Sequence, residues 1–189
     1  MKKLLIAAAI AVAAVVSQAA TVSWTMTNVQ KGGSAVSGLM YFIVDSNLAR
    51  ADVIGLAGKG ADAFTSALTA PDAYAFEWTV ASGTGTMAPS NASRPTNEAL
   101  GLAGATSYDF YAVVFDTDTI TDASNFYVTA LKTGVSTAEG SSNKVVGLGN
   151  QATASNADGA WLAVAVPEPT SGLLLLLGMA GLALRRRRA

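Results

Sequence analysis

The 189-residue chain contains neither histidine nor cysteine. Ser-His-Asp and Cys-His nucleophilic sites are therefore excluded, because both need an imidazole base. The usual zinc sites are excluded too, since their ligands are Cys and His. No disulfide can staple the fold, so cohesion must come from packing or from a bound ion or partner. Charge is sparse, at 13% of residues. Much of the positive charge sits at the ends, in Lys2, Lys3 and Arg185 to Arg188. Residues 20 to 166 carry six basic against twelve acidic side chains, a net charge of −6. Phosphate binding needs clustered Lys and Arg, so a nucleic-acid partner is not expected. Gly55, Gly58 and Gly60 fit neither the dinucleotide fingerprint nor the P-loop spacing.

Two long apolar runs are present. The first, Leu4 to Val16, follows a positive start and precedes Ser17-Gln18-Ala19. Ser17 and Ala19 put small residues at the two positions a signal peptidase needs, so residues 1–19 read as a secretory signal peptide. Cleavage is expected after Ala19, with Ala20 as the neighbouring option and an uncleaved N-terminal anchor as the alternative.

The second run is Gly172 to Leu184, which includes seven leucines. As a helix it would span about 20 Å, against a bilayer core of about 30 Å. Seven central leucines favour insertion by about 3 to 4 kcal/mol, while each arginine at the bilayer centre costs about 3 kcal/mol. Arg185 to Arg188 must then stay on the water side, which places the basic tail inside and the body outside. Just before the run, Pro167 and Pro169 hold Val166 to Pro169 stiff and extended.

The order Pro167-Glu168-Pro169, apolar run, arginine cluster resembles the PEP-CTERM sorting signal. The resemblance covers about 24 of the 189 residues. It implies recognition by exosortase, a membrane-embedded cysteine transpeptidase, and a transient membrane stage. Proteins with this signal tend to accompany exopolysaccharide production, so a matrix or biofilm role is what the resemblance implies. A plain membrane anchor with a chance Pro-Glu-Pro is the alternative.

Residues 20–166 form one domain of common size and hold all fourteen aromatics. Thr21 to Thr27 alternates apolar and polar residues and predicts a half-buried strand. Gly38 to Val44 is continuously apolar and predicts a more central strand, paired with the first as a hairpin across the Lys31–Ser34 turn. Asp62 to Leu68 spaces Phe64 and Leu68 for a short helix that ends before Pro71. Tyr74 to Val80 alternates, with Tyr, Phe, Trp and Val on one face. Residues 82–105 read as a long loop with a helical turn at Thr96 to Leu100. Further strands are expected at Tyr108–Phe115, Phe126–Leu131, Lys144–Leu148 and Ala160–Val166. About seven strands predict an all-β, small β-sandwich-like domain with one or two short helices, flanked by the two terminal apolar helices.

Candidate chemistry in this body is thin. A glycosidase needs two carboxylates about 5 to 9.5 Å apart, and Glu77, Glu98 and Glu139 are the only glutamates here. Glu77 falls on the polar face of a strand, and Asp72 and Asp109 read as turn or strand-edge residues. Asp116, Asp118 and Asp122 offer oxygen ligands for calcium. They lack the Gly and distant Glu of an EF-hand, and a turn with Asp side chains bonding their own backbone is the stronger reading. Trp24, Trp78 and Trp161 suggest either a sugar-stacking platform or core packing, with packing preferred because each lies on an apolar strand face. Asn91-Ala92-Ser93 matches a glycosylation sequon. No catalytic residue, cofactor or metal ligand set is expected. The partners expected are signal peptidase, an exosortase-like transpeptidase, the membrane and exopolysaccharide. A non-enzymatic surface or matrix protein is the leading reading, with a carbohydrate-binding module and a glycan hydrolase behind it.

Overall fold

The computed structural model describes residues 20–79, 86–87, 93–102, 107–137 and 143–165. In chain order the elements are β1 (Val22–Thr27), β2 (Gln30–Lys31), β3 (Ser34–Ala35), β4 (Leu39–Val44), α1 (Arg50–Ile54) and α2 (Ala61–Leu68). They continue with β5 (Phe76–Thr79), β6 (Thr86–Met87), a 3-10 turn (Glu98–Leu100), β7 (Ser107–Phe115), β8 (Asn125–Val128), β9 (Lys132–Ser136), β10 (Lys144–Asn150), α3 (Ala152–Ser155) and β11 (Trp161–Ala163).

A central antiparallel sheet runs β11-β8-β7-β4-β5, with β9 also paired to β7. A second sheet runs β10-β1-β6, in which β10 is parallel to β1. All six residues of β4 are buried. Its continuous apolar sequence follows from a sheet covered on both faces, where neither side chain direction meets water.

On one face Met40, Phe42, Phe110 and Val114 meet Val22, Trp24 and Met26 of β1. Trp24 stacks on Phe42 at 4.6 Å, and Phe42 stacks on Phe110 at 5.3 Å. On the other face Tyr41, Ile43, Val113 and Phe115 are covered by Val53, Phe64 and Leu68 of α1 and α2. Phe64 meets Phe115 and Phe126 edge-on at 5.6 and 4.6 Å. The domain is thus all-β, a sheet-on-sheet sandwich with short helices closing its far side. Burying each such aromatic contributes about 1.5 to 3 kcal/mol.

Several expectations are corrected. The hairpin joining Thr21–Thr27 to Gly38–Val44 does not form, and those strands lie in facing sheets. The turn at Gly32 and Gly33 instead joins only β2 and β3. Both glycines have positive φ, 59° and 81°, as a two-residue hairpin turn demands. Aromatic stacking across the layers wins over pairing along the chain. Tyr74 does not share the face of Phe76 and Trp78. It is 44% exposed with φ 45°, outside any strand. Its ring lies over Gly101, where a Cβ would come within 2.7 Å of it. Strands β2, β3, β6 and β9 have no counterpart among the seven expected, because they are short or rich in Gly, Ser and Thr. The α2 helix and the turn before Leu100 form where the pattern placed them.

Candidate functional site at the root of the C-terminal signal

Residues 161–165 lead toward the C-terminal Pro-Glu-Pro and are firmly held. β11 pairs with β8 through Trp161–Tyr127, Leu162–Phe126 and Ala163–Asn125. Beyond the strand, Val164 N donates to Ser124 O at 3.0 Å. Val164 O accepts from Gly58 N at 3.0 Å and from Gly60 N at 3.2 Å. Gly58 and Gly60 have φ of 76° and 92°, the left-handed region that favours glycine. The side chain of Val164 is fully buried in the helix-covered core, and Ala165 is buried beside it. One backbone carbonyl held by two amides, on a buried valine, fixes the body to within one residue of Val166.

The aspartate loop braces this junction. Asp116 Oδ2 pairs with Lys31 Nζ at 2.6 Å, and its Oδ1 accepts from Asn125 N at 2.7 Å. Burial alone would raise its pKa. The hydrogen bonds from Lys31 and from Asn125, with the Lys31 charge, outweigh that and hold the carboxyl below its ordinary value. Asp122 Oδ1 accepts from Ala61 N at 2.8 Å and so caps α2, whose own N-cap Gly60 has no side chain. Asp118 is exposed. Ser124 Oγ gathers Thr117 Oγ1 at 2.7 Å and Thr121 N at 2.9 Å, while Ser124 O receives Val164. Asp116 and Asp122 therefore point to different partners while Asp118 faces solvent, and among the described residues no group of three or more acidic side chains is arranged for a metal ion.

The tryptophans pack on one core. Trp24 is fully buried and meets Phe76 and Trp78 edge-on at 5.8 and 6.1 Å. Trp161 is half-buried, donates from Nε1 to Gln30 O at 2.9 Å and carries Lys31 Nζ 5.8 Å above its ring. Glu77 is exposed and accepts the Tyr41 hydroxyl at 2.8 Å. Burial, that hydrogen bond and the Glu77 charge all push the Tyr41 hydroxyl well above the ordinary phenol range. Glu98 is exposed at the start of its 3-10 turn. Asp109 sits within β7, at its irregular pairing with β9, and accepts Gly134 N at 2.7 Å. Asp72 is exposed in a turn. Sequence reasoning missed Gly58, Gly60 and Ser124, because their role is to meet Val164, which lies far along the chain from each of them.

Ser17, Ala19, Asn91, Glu139, Pro167, Glu168, Pro169 and Arg185, Arg186, Arg187 and Arg188 lie outside the described residues. So do the expected helices at 4–16 and 172–184. Among the described residues no helix is long and apolar enough to cross a membrane.

No curated protein and no solved structure matches the chain. A family match does exist at the C-terminal end, and it begins at buried Ala165. A signal of this kind implies export, membrane anchoring before processing, and processing by exosortase. Residues 165–188 are a PEP-CTERM protein-sorting motif.

Proposed function

We propose that this chain is a non-enzymatic surface or extracellular-matrix protein, delivered through two processed ends. Signal peptidase removes residues 1–19. The exosortase-like transpeptidase then acts beyond Ala165, and residues 20–165 persist as the folded product at the cell surface or in the medium. The observation that carries this reading is the junction itself. Among the described residues, the contacts that close the last strand lie at or before Ala165, so a cut beyond that point leaves each of them in place. The absence of His and Cys supports a role without catalysis. Exopolysaccharide is the partner this reading favours. A tryptophan sugar platform ranks lower, because Trp24 is buried and Trp78 packs against it.

The test is intact mass and terminal sequencing of protein recovered from envelope and medium of a host carrying exosortase. The expected product starts at Ala20 and ends at or beyond Val166. Recovery of chain retaining Met1 and Arg185 to Arg188 in the cytosol would overturn the proposal. Replacing Arg185 to Arg188 by Ala is expected to block release while leaving the N-terminus processed.

A further inference from the structure

A cavity of about 450 Å³ lies beside edge strand β11, between β8, α1 and α3. It exists because its α3 side is built from small residues, Ala154, Ala157, Gly159 and Ala160. Its other walls include Ile54, Val128 and Leu162. Two charged side chains also line it, Arg50 and Asp158.

Arg50 is placed by the fold. Its backbone N–H donates to Asp45 Oδ1 at 2.7 Å, and its Nε donates to Thr129 O at 2.6 Å. That leaves the two terminal nitrogens of the guanidinium, and among the described residues neither has a hydrogen-bond or carboxylate partner. Asp45 accepts only the Arg50 backbone N–H, and among the described residues Arg50 forms no ion pair with Asp45 or Asp52. A guanidinium oriented through Nε offers its remaining N–H groups as a fork that matches a carboxylate. Asp158 lies exposed at the rim and has no ion-pair partner among the described residues. A carboxylate there disfavours phosphate and other multiply charged anions, and it attracts an ammonium. The aliphatic walls accept an apolar group of a few carbons.

We propose that this cavity binds a free α-amino acid with an aliphatic side chain. Arg50 takes its carboxylate, Asp158 takes its ammonium, and Ile54, Val128 and Leu162 receive its side chain. A peptide C-terminus would satisfy Arg50 alone, because its nearest nitrogen is an uncharged amide.

The test is isothermal titration calorimetry on the full chain in detergent micelles. The probes are L-leucine, N-acetyl-L-leucine, L-leucinamide, D-glucuronate and inorganic phosphate. Leucine is expected to give saturable heat. N-acetyl-leucine and leucinamide, which each lack one charge, are expected to bind at least about tenfold more weakly. Arg50→Gln is expected to weaken leucine by a similar factor. Ala154→Leu fills the cavity without touching the Arg50–Thr129 bond and is expected to abolish the heat. The proposal is overturned if leucine gives no saturable heat. Glucuronate, phosphate or either leucine derivative binding as tightly as leucine would also overturn it, as would unchanged binding by Arg50→Gln.

Discussion

Gly38 sits just before β4, and a Cβ built there would collide with the carbonyl oxygen of Phe115 and the backbone of Thr117. Both obstacles are main chain, so nothing flexible can yield. Gly38→Ala is expected to destabilise the domain by about 2 kcal/mol or more, read from urea unfolding followed by tryptophan fluorescence. An unchanged midpoint would mean that β4 and the start of the loop after β7 are not so closely apposed. Asp116 makes a pH prediction at the same scale. Its folded pKa is depressed, so its contribution is fully present above the ordinary carboxylate range. That contribution disappears as pH falls through the folded value. Asp116→Asn should lower stability near neutrality by about 1 kcal/mol, and the gap to wild type should close under strong acid. A gap that persists at low pH would contradict the assignment. With Asp116 and Asp122 already bonded to Lys31, Asn125 and Ala61, added calcium is expected to leave the melting temperature unchanged. A rise that Asp116→Ala removes would restore the calcium reading.

At the scale of elements, β4 separates two cores that share one backbone. Trp24 and Phe42 touch on the sandwich side, whereas Phe64 lies on the helix side. Double-mutant cycles should separate them. Trp24→Phe with Phe42→Leu is expected to depart from additivity by about 0.5 to 1.5 kcal/mol, through the lost stack. Trp24→Phe with Phe64→Leu should add within about 0.5 kcal/mol. Equal coupling in both cycles would mean that the two faces repack together. The capping of α2 by Asp122, sixty-one residues downstream, belongs to the same scale. The cap of α2 is supplied by a distant loop, because Gly60 has no side chain to offer.

For the whole molecule, the consequence is how independent the body is of its C-terminal signal. A chain ending at Ala165 is expected to melt within a few degrees of one that retains residues 166–189. Val164→Asp should instead cost about 3 kcal/mol or more, because it buries an unpaired carboxylate beneath the helices. A large loss on removing residues 166–189 alone would show that the signal contributes to the fold.

Much of this could be read from order along the chain. Residues 4–16 and 167–188 declare themselves by unbroken apolar runs, prolines and clustered charge, which are local properties of consecutive side chains. The β-rich class followed from period-two alternation in β1, and the buried position of β4 from its lack of any polar residue. Partnerships were not legible, because strand pairing and ring stacking are settled by contacts between residues far apart. β1 paired with β10 across more than a hundred residues, and Trp24 found Phe42 in the opposite sheet. The carbonyl of Val164 was seized by Gly58 and Gly60, whose left-handed backbone carries no mark in composition. The sequence alone determined the sorting motif at the C-terminal end. Only the tertiary structure decided how Val164 is held by Gly58, Gly60 and Ser124, since a hydrogen bond across a fold depends on distance in space.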